Sequence, residues 1–241
     1  MNNRYRVVMG VICLLLILAA VMCACTRRAD GTEPEDTPAP TAAAAETALP
    51  TPAPSETPEP SPEPEDGDLV LVRDYIPSIY VDLRYATTDN FTGQRIYDFR
   101  DAQLRYGTVK KLARVQEALL AQGYSLKIWD AYRPVSAQYA LWEVCPNSAY
   151  VANPNTGYSS HSRGNTVDLT LVRADGSVIS MPSDFDTFSA LADRDYSDVS
   201  AEAQENVRIL ERAMQAEGFV GYSAEWWHYT DSTPYDVVTE I

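Results

Sequence analysis

The sequence predicts an α+β domain in which helices pack on a small, mostly antiparallel sheet, and three observations carry that prediction. Two segments place apolar residues at helical spacing: Val109, Leu112, Val115 and Leu119, and later Ala203, Val207, Leu210 and Met214. Two others alternate with the period of a strand: Leu126 and Ile128 against Lys127 and Trp129, and Val167, Leu169 and Leu171 against Asp168, Thr170 and Val172. Two further strand-like segments, Phe219 to Tyr222 and Trp226 to Thr230, follow the second helix and close the domain.

The chain before this domain has a different character. Arg4 and Arg6 precede an apolar run from Val7 to Ala24, which reads as the charged and apolar regions of an export signal over residues 1–28. Ala24-Cys25 suits lipoprotein processing with Cys25 as the lipidated residue, although Met22 and Cys23 depart from the usual pattern. The competing expectation is an uncleaved signal anchor, since an apolar run of about 18 residues can just span a bilayer. Either way the domain is expected to be exported and tethered to the outer face of the membrane. Residues 29–66 are rich in Pro, Thr, Ala and Glu and contain no aromatic residue. Such a segment cannot bury enough apolar surface to offset its ordering entropy, so it is expected to be a disordered, extended spacer.

Charge narrows the partners. The whole chain carries a formal −15. Setting aside the ten acids of the spacer and the four N-terminal arginines leaves 24 acidic and 15 basic residues, near −9. Nucleic acid needs a basic footprint, and this domain has none.

Residues 67–241 are enough for one domain with its own core. In order, Leu69–Val72 and Tyr80–Leu83 read as short strands, and 108–122 as a helix stopped by Gly123. The strand around Leu126 ends at Asp130, and Pro134 starts a helix running to Val144, proline being tolerated in a first turn. A loop over 146–158 leads to the strand around Val167, in which Asp168 points away from the apolar face. The second long helix stops at Gly218. Cys145 is the one thiol of the domain, so no internal disulfide is expected, and it reads as structural.

The protein has only two histidines, His161 and His228. With Asp168 they make a set of two imidazoles and a carboxylate, the donor chemistry of a catalytic Zn²⁺ site that keeps one position open. Glu225 is the nearby candidate for a general base. The H-x6-D spacing is loose, and two ordinary surface histidines remain an equal reading at this point. Glu225 and His228 also have opposite parity along a strand. They can serve one site only if Glu225 lies on a turn supplied by residues 221–224.

Four ordered motifs change the balance. Ser159-Ser160-His161-Ser162-Arg163-Gly164 followed by Asp168-Leu169-Thr170-Leu171, then Asp130-Ala131-Tyr132-Arg133-Pro134, Glu225-Trp226-Trp227-His228-Tyr229, and Asp89-Asn90-Phe91-Thr92-Gly93 after Tyr85 resemble the D-alanyl-D-alanine dipeptidases. These are zinc peptidases related to the zinc D,D-carboxypeptidases. The resemblance spans about residues 68–235. It implies one Zn²⁺ on His161, Asp168 and His228, with Glu225 as general base and Arg133 facing the developing oxyanion. For Arg133 the sequence alone favours a structural pair with Asp130. The resemblance also places Tyr85 and Asp186 near the ammonium of a small D,D-dipeptide and Ser159 and Ser160 near its carboxylate, with Asp184 a rival for Asp186. Trp226 and Trp227 read as pocket wall and packing.

Three functions follow as expectations. The first is zinc-dependent hydrolysis of D-Ala-D-Ala. The second is a zinc D,D-carboxypeptidase that trims peptidoglycan stems, and the third is a cell-wall-binding lipoprotein with a vestigial site. Glu225 counts against the third, since binding alone needs no base. Export separates this chain from a cytoplasmic dipeptide pool, so wall turnover or dipeptide salvage fits better than a resistance role.

Overall fold

A computed structural model describes residues 62–238. The expected export signal, Cys25 and nearly all of the expected spacer lie outside the described residues. The first contacts with the domain come slightly before the boundary expected at 66. The Tyr106 hydroxyl donates to Glu63 at 2.6 Å, and Lys110 pairs with Asp66 at 2.6 Å.

Two sheets form among the described residues. The smaller pairs β1 (Leu69–Leu71) with β3 (Gln103–Arg105), antiparallel. The larger has five strands, β2 (Tyr80–Val81), β4 (Tyr124–Asp130), β5 (Thr166–Arg173), β6 (Phe219–Tyr222) and β7 (Glu225–Asp231), in the order β2-β4-β5-β7-β6. Only β2 with β4 is parallel; every other pairing is antiparallel. The expected α+β architecture is therefore the one observed.

Among the described residues four α-helices accompany the sheets: α1 (Val72–Tyr75), α2 (Tyr106–Leu120), α3 (Val135–Val144) and α4 (Ala201–Ala216). The stripe of Val109, Leu112, Val115 and Leu119 on α2 and the stripe of Val207, Leu210 and Met214 on α4 are fully buried. They join Leu126, Ile128, Val167 and Leu169 of the sheet in one core cluster. Each such side chain contributes about 1.5–3 kcal/mol by leaving water. Pro134 stands just before the first turn of α3, which starts one residue later than expected, and the Ser200 hydroxyl caps α4 by accepting from Ala203 N at 3.2 Å. Cys145 is free and half-buried, with its N–H on the Leu141 carbonyl, which agrees with a structural role.

The differences are local. Val72 begins a short helix instead of ending a strand, and the strand at Tyr80 closes after Val81. Strand β3 was not expected, because three residues are too few to show a period.

With its core side committed to the helices, the opposite sheet face is free to carry polar groups. Asp168 lies there, opposite His228 in β7 and Asp130 in β4, with a pairing irregularity at Trp129 between Ile128 and Asp130. His161 sits just before β5 on a 3₁₀ turn, Ser160–Arg163, that ends at Gly164 with φ 76°. A Cβ on Gly164 would also lie 2.7 Å from Leu69 Cδ2. Gly164→Ala is therefore expected to cost about 1–3 kcal/mol of stability, read as a melting temperature several degrees lower. An unchanged melting temperature would show that the turn tolerates a side chain.

Candidate active site

All nine side chains singled out from the sequence line one cleft of about 300 Å³. A larger, shallower depression borders it at Ser160 and His228, but it holds neither Arg133, Asp168, Asp186 nor Glu225. The chemistry lies in the smaller cleft.

At its floor, ligating atoms of His161, Asp168 and His228 all lie within 4.8 Å of one another. His161 Nε2 is 3.3 Å from Asp168 Oδ2, and His228 Nδ1 is 3.0 Å from Asp168 Oδ1. The other nitrogen of His161, Nδ1, is 2.8 Å from the Ala131 carbonyl. A carbonyl can only accept, so Nδ1 carries the proton and the Nε2 lone pair faces the cluster. Asp168 is 3% exposed, and its Oδ1 has no aligned hydrogen-bond donor despite the nearby His228 ring. A buried carboxylate oxygen left without a donor is costly in a closed protein and natural beside a cation.

Glu225 is the first residue of β7 and directly follows the Ser223-Ala224 turn. Gly221 pairs with Tyr229, but Tyr222 pairs with Glu225 rather than His228. This break cancels the parity problem and brings Glu225 Oε2 to 3.5 Å from His228 Nδ1. The turn expected over 221–224 is confined to Ser223-Ala224, and Glu225 opens β7 instead of lying on it; the register break does what the turn was expected to do.

Arg133 makes the structural pair with Asp130 and also lines the cleft. Its Nε donates to Asp130 Oδ2 at 3.0 Å, Nη2 donates to the same oxygen, and Nη1 donates to Gln138 Oε1 at 2.8 Å. It also lies over the Tyr85 ring at 5.0 Å and lines the cleft. Asp130 itself accepts from the Tyr97 hydroxyl at 2.8 Å and lies 3.7 Å from His161 Nδ1. It connects the arginine to the histidine.

At the other end of the cleft, the Tyr85 hydroxyl donates to Asp186 Oδ2 at 2.6 Å. The rival, Asp184, instead reaches Arg84 at 3.4 Å and lines a different depression. The Ser159 hydroxyl accepts from His161 N at 3.3 Å, and Ser160 Oγ is 3.4 Å from His228 Nε2. Trp226 and Trp227 are fully buried and outside the cleft lining, so they pack the core and do not wall the pocket.

A family model for D-Ala-D-Ala dipeptidases matches residues 65–237. The chain belongs to the D-Ala-D-Ala dipeptidase family. It is accordingly a zinc metallopeptidase, a hydrolase. A D-alanyl-D-alanine dipeptidase of Escherichia coli K12 is 37% identical over 162 residues, 67% of this chain and 83% of its own length. One from Enterococcus faecium is 36% identical over 168 residues, 61% of this chain and 83% of its own. Among solved structures, a zinc-bound vancomycin-resistance D,D-pentapeptidase covers 55% of this chain and 74% of its own at 17% identity and TM-score 0.36, too low to add to the assignment.

Electrostatics divide the dipeptidase cleft. Burial works to raise the Asp168 carboxyl, but the two imidazoles outweigh it and hold Asp168 below the usual carboxylate range. Burial also opposes charge on His161, yet the adjoining Asp168 raises its proton affinity. Both effects describe a cluster that gathers positive charge. Glu225 is pushed up, first by burial and then by Asp168, and burial takes Asp186 up to about 8. Sequence reasoning missed Tyr97 and Gln138, whose only signal is their place against Asp130 and Arg133 respectively. It also missed the cleft wall at residues 148–152, which the expected loop over 146–158 left without a role.

Proposed function

We propose that this domain hydrolyses the free dipeptide D-Ala-D-Ala to two molecules of D-alanine, with His161, Asp168 and His228 holding the zinc. The single observation behind this reading is the closed distribution of groups in one small cleft: a metal-fitting cluster with an adjacent acid, and a second, half-buried acid, Asp186, held by Tyr85. Two neutral imidazoles and a carboxylate are the donor set that zinc takes in catalytic sites. The donorless Asp168 Oδ1 and the tautomer set by the Ala131 carbonyl fit such an ion.

When bound, zinc lowers the pKa of a coordinated water and polarises a substrate carbonyl. Glu225 accepts the proton of the attacking water and passes it to the departing amine. Arg133 uses three of its five N–H groups on Asp130 and Gln138, which leaves two for the oxyanion that develops on the scissile carbonyl. Its pair with Asp130 keeps the guanidinium fixed before substrate arrives, so it need not reorganise during reaction. Tyr85 and Asp186 hold the ammonium, and Ser159 and Ser160 receive the carboxylate. A carboxypeptidase acting on wall stems has no use for an acid at the ammonium end, which places that activity second.

Purified protein is expected to contain about one zinc, and His161→Ala and His228→Ala are each expected to lose it, as measured by elemental analysis after dialysis. Full occupancy in either variant would overturn the ligand assignment. Affinity should also fall in acid, because imidazoles must be deprotonated to bind. We further propose that the domain works outside the membrane on wall-derived dipeptide. The support is the sequence pattern of Arg4, Arg6, the Val7–Ala24 run and Cys25. Fractionation and surface proteolysis of intact cells test it, and a protected cytoplasmic protein would refute it.

A further inference from the structure

The bend that brings Glu225 to His228 has a cost in backbone hydrogen bonds. Because Tyr222 pairs with Glu225 while Gly221 pairs with Tyr229, residues 226–228 of β7 have no partners in β6. Buried carbonyls without donors are rare and destabilising, so something must replace the missing ladder. Arg194, on the segment before α4, does so. Its Nε donates to the Tyr222 carbonyl at 2.8 Å, and its Nη2 donates to the Trp226 and His228 carbonyls at 3.0 and 2.9 Å. Its own backbone N–H donates to the Ser223 carbonyl at 3.2 Å.

The guanidinium is itself held from behind. Nη1 donates to Glu211 Oε1 at 2.7 Å and to the Tyr229 hydroxyl at 3.3 Å, and the group lies over the Tyr229 ring at 4.5 Å. On its near side it crosses Gly221, where any Cβ would overlap the guanidinium. A planar fork of five donors can serve three carbonyls at once, which a lysine ammonium on its single point cannot reproduce.

We propose that Arg194 is a positioning residue for the reaction: it replaces the missing strand pairing and so fixes the bend that aims Glu225 and His228 at one point. The proposal rests on the reading of Glu225 as base and His228 as ligand. It assigns Gly221 a role as well, as the gap through which the guanidinium reaches the bend. Arg194 is not itself part of the cleft lining and touches no side chain of the proposed metal ligands; it reaches the lining residues Tyr222 and His228 only at their backbone carbonyls.

Arg194→Ala, Arg194→Lys and Gly221→Ala test it, each compared with wild type below its own melting transition. For D-Ala-D-Ala, kcat is expected to fall at least tenfold in all three, with KM changed little. Zinc Kd, measured by chelator competition without substrate, is expected to rise about 10–100-fold, the usual effect of losing a group that orients a ligand. Methylguanidinium at a non-denaturing concentration should restore part of kcat in Arg194→Ala and none in Gly221→Ala, where the space is filled. The Gly221→Ala/Arg194→Ala double variant should be no worse than the poorer single, because both act through one contact. Wild-type kcat and zinc Kd in folded Arg194→Lys and Gly221→Ala would overturn the proposal, as would additive losses in the double variant. If Arg194→Ala does not fold, those two variants decide. If wild-type protein does not cut D-Ala-D-Ala, the functional reading fails by itself, and the zinc Kd still judges Arg194.

Discussion

Glu225→Gln is expected to retain its zinc and to lose turnover by a factor of ~10²–10⁴. The substitution keeps the shape of the side chain and removes only its ability to take a proton. Glu225 is suited to that task by position: it begins β7 at the mouth of the metal-fitting cluster, 3.5 Å from His228 and partly open to solvent. Burial and the nearby Asp168 charge raise its proton affinity above that of an ordinary glutamate. A base must be ionised to act, so wild-type kcat/KM should climb with pH through the ionisation of Glu225, and the raised value moves that limb toward neutrality. Steady-state kinetics with parallel metal analysis make the measurement. Near-normal turnover in Glu225→Gln would assign the proton to another group. Loss of zinc along with activity would make Glu225 a ligand.

Much of this site was legible because its chemistry is concentrated in rare residues. Two histidines in 241 residues leave little choice of ligand, and each sits in a motif that also supplies its neighbours. The long helices and central strands were legible for a different reason: each buries a stripe of Leu and Val with a clear period, and that period survives folding. What sequence could not supply were relations created only by packing. Which of Asp184 and Asp186 lines the cleft depends on which of two nearby carboxylates the loop turns toward Tyr85. The placement of Arg133 depends on Asp130, which lies close in sequence, but also on Tyr97 and Gln138, which carry no motif of their own. Trp226 and Trp227 could not be placed by type, since a tryptophan suits a pocket wall and a core equally; their complete burial puts them in the core. The β6–β7 break was a demand of the parity argument, but its support by Arg194 was invisible, because a lone arginine in a polar loop resembles any other.

A free dipeptide is expected to be cut at least a hundredfold better, by kcat/KM, than its N-acetylated form or a stem pentapeptide with the same C-terminus. The reason lies at the far end of the cleft. Asp186 is half-buried there against the Tyr85 hydroxyl, and desolvation, ahead of the Asp168 and Glu225 charges, lifts its pKa to about 8. A substrate ammonium reverses that shift, because a cation beside a buried carboxylate favours its charged form. Acetylation removes the cation. The complex then loses a charge-assisted hydrogen bond worth roughly 1.5–3 kcal/mol and leaves a carboxylate to be either desolvated or protonated. Since each ~1.4 kcal/mol is tenfold, the two penalties together reach the stated ratio. The sign of the pH effect follows. Protonated Asp186 is neutral and binds ammonium poorly, so KM for the free dipeptide should fall as pH rises toward about 8, and this dependence should vanish in Asp186→Asn. The same variant should lose most of its preference for the free over the acetylated dipeptide, whereas Asp184→Asn, whose side chain faces Arg84 outside the cleft, should keep it. Equal rates on free and acetylated substrates in wild type would move the enzyme to the carboxypeptidases, with Asp186 a structural partner of Tyr85. Preference lost in Asp184→Asn and retained in Asp186→Asn would keep the dipeptidase and reassign the acid.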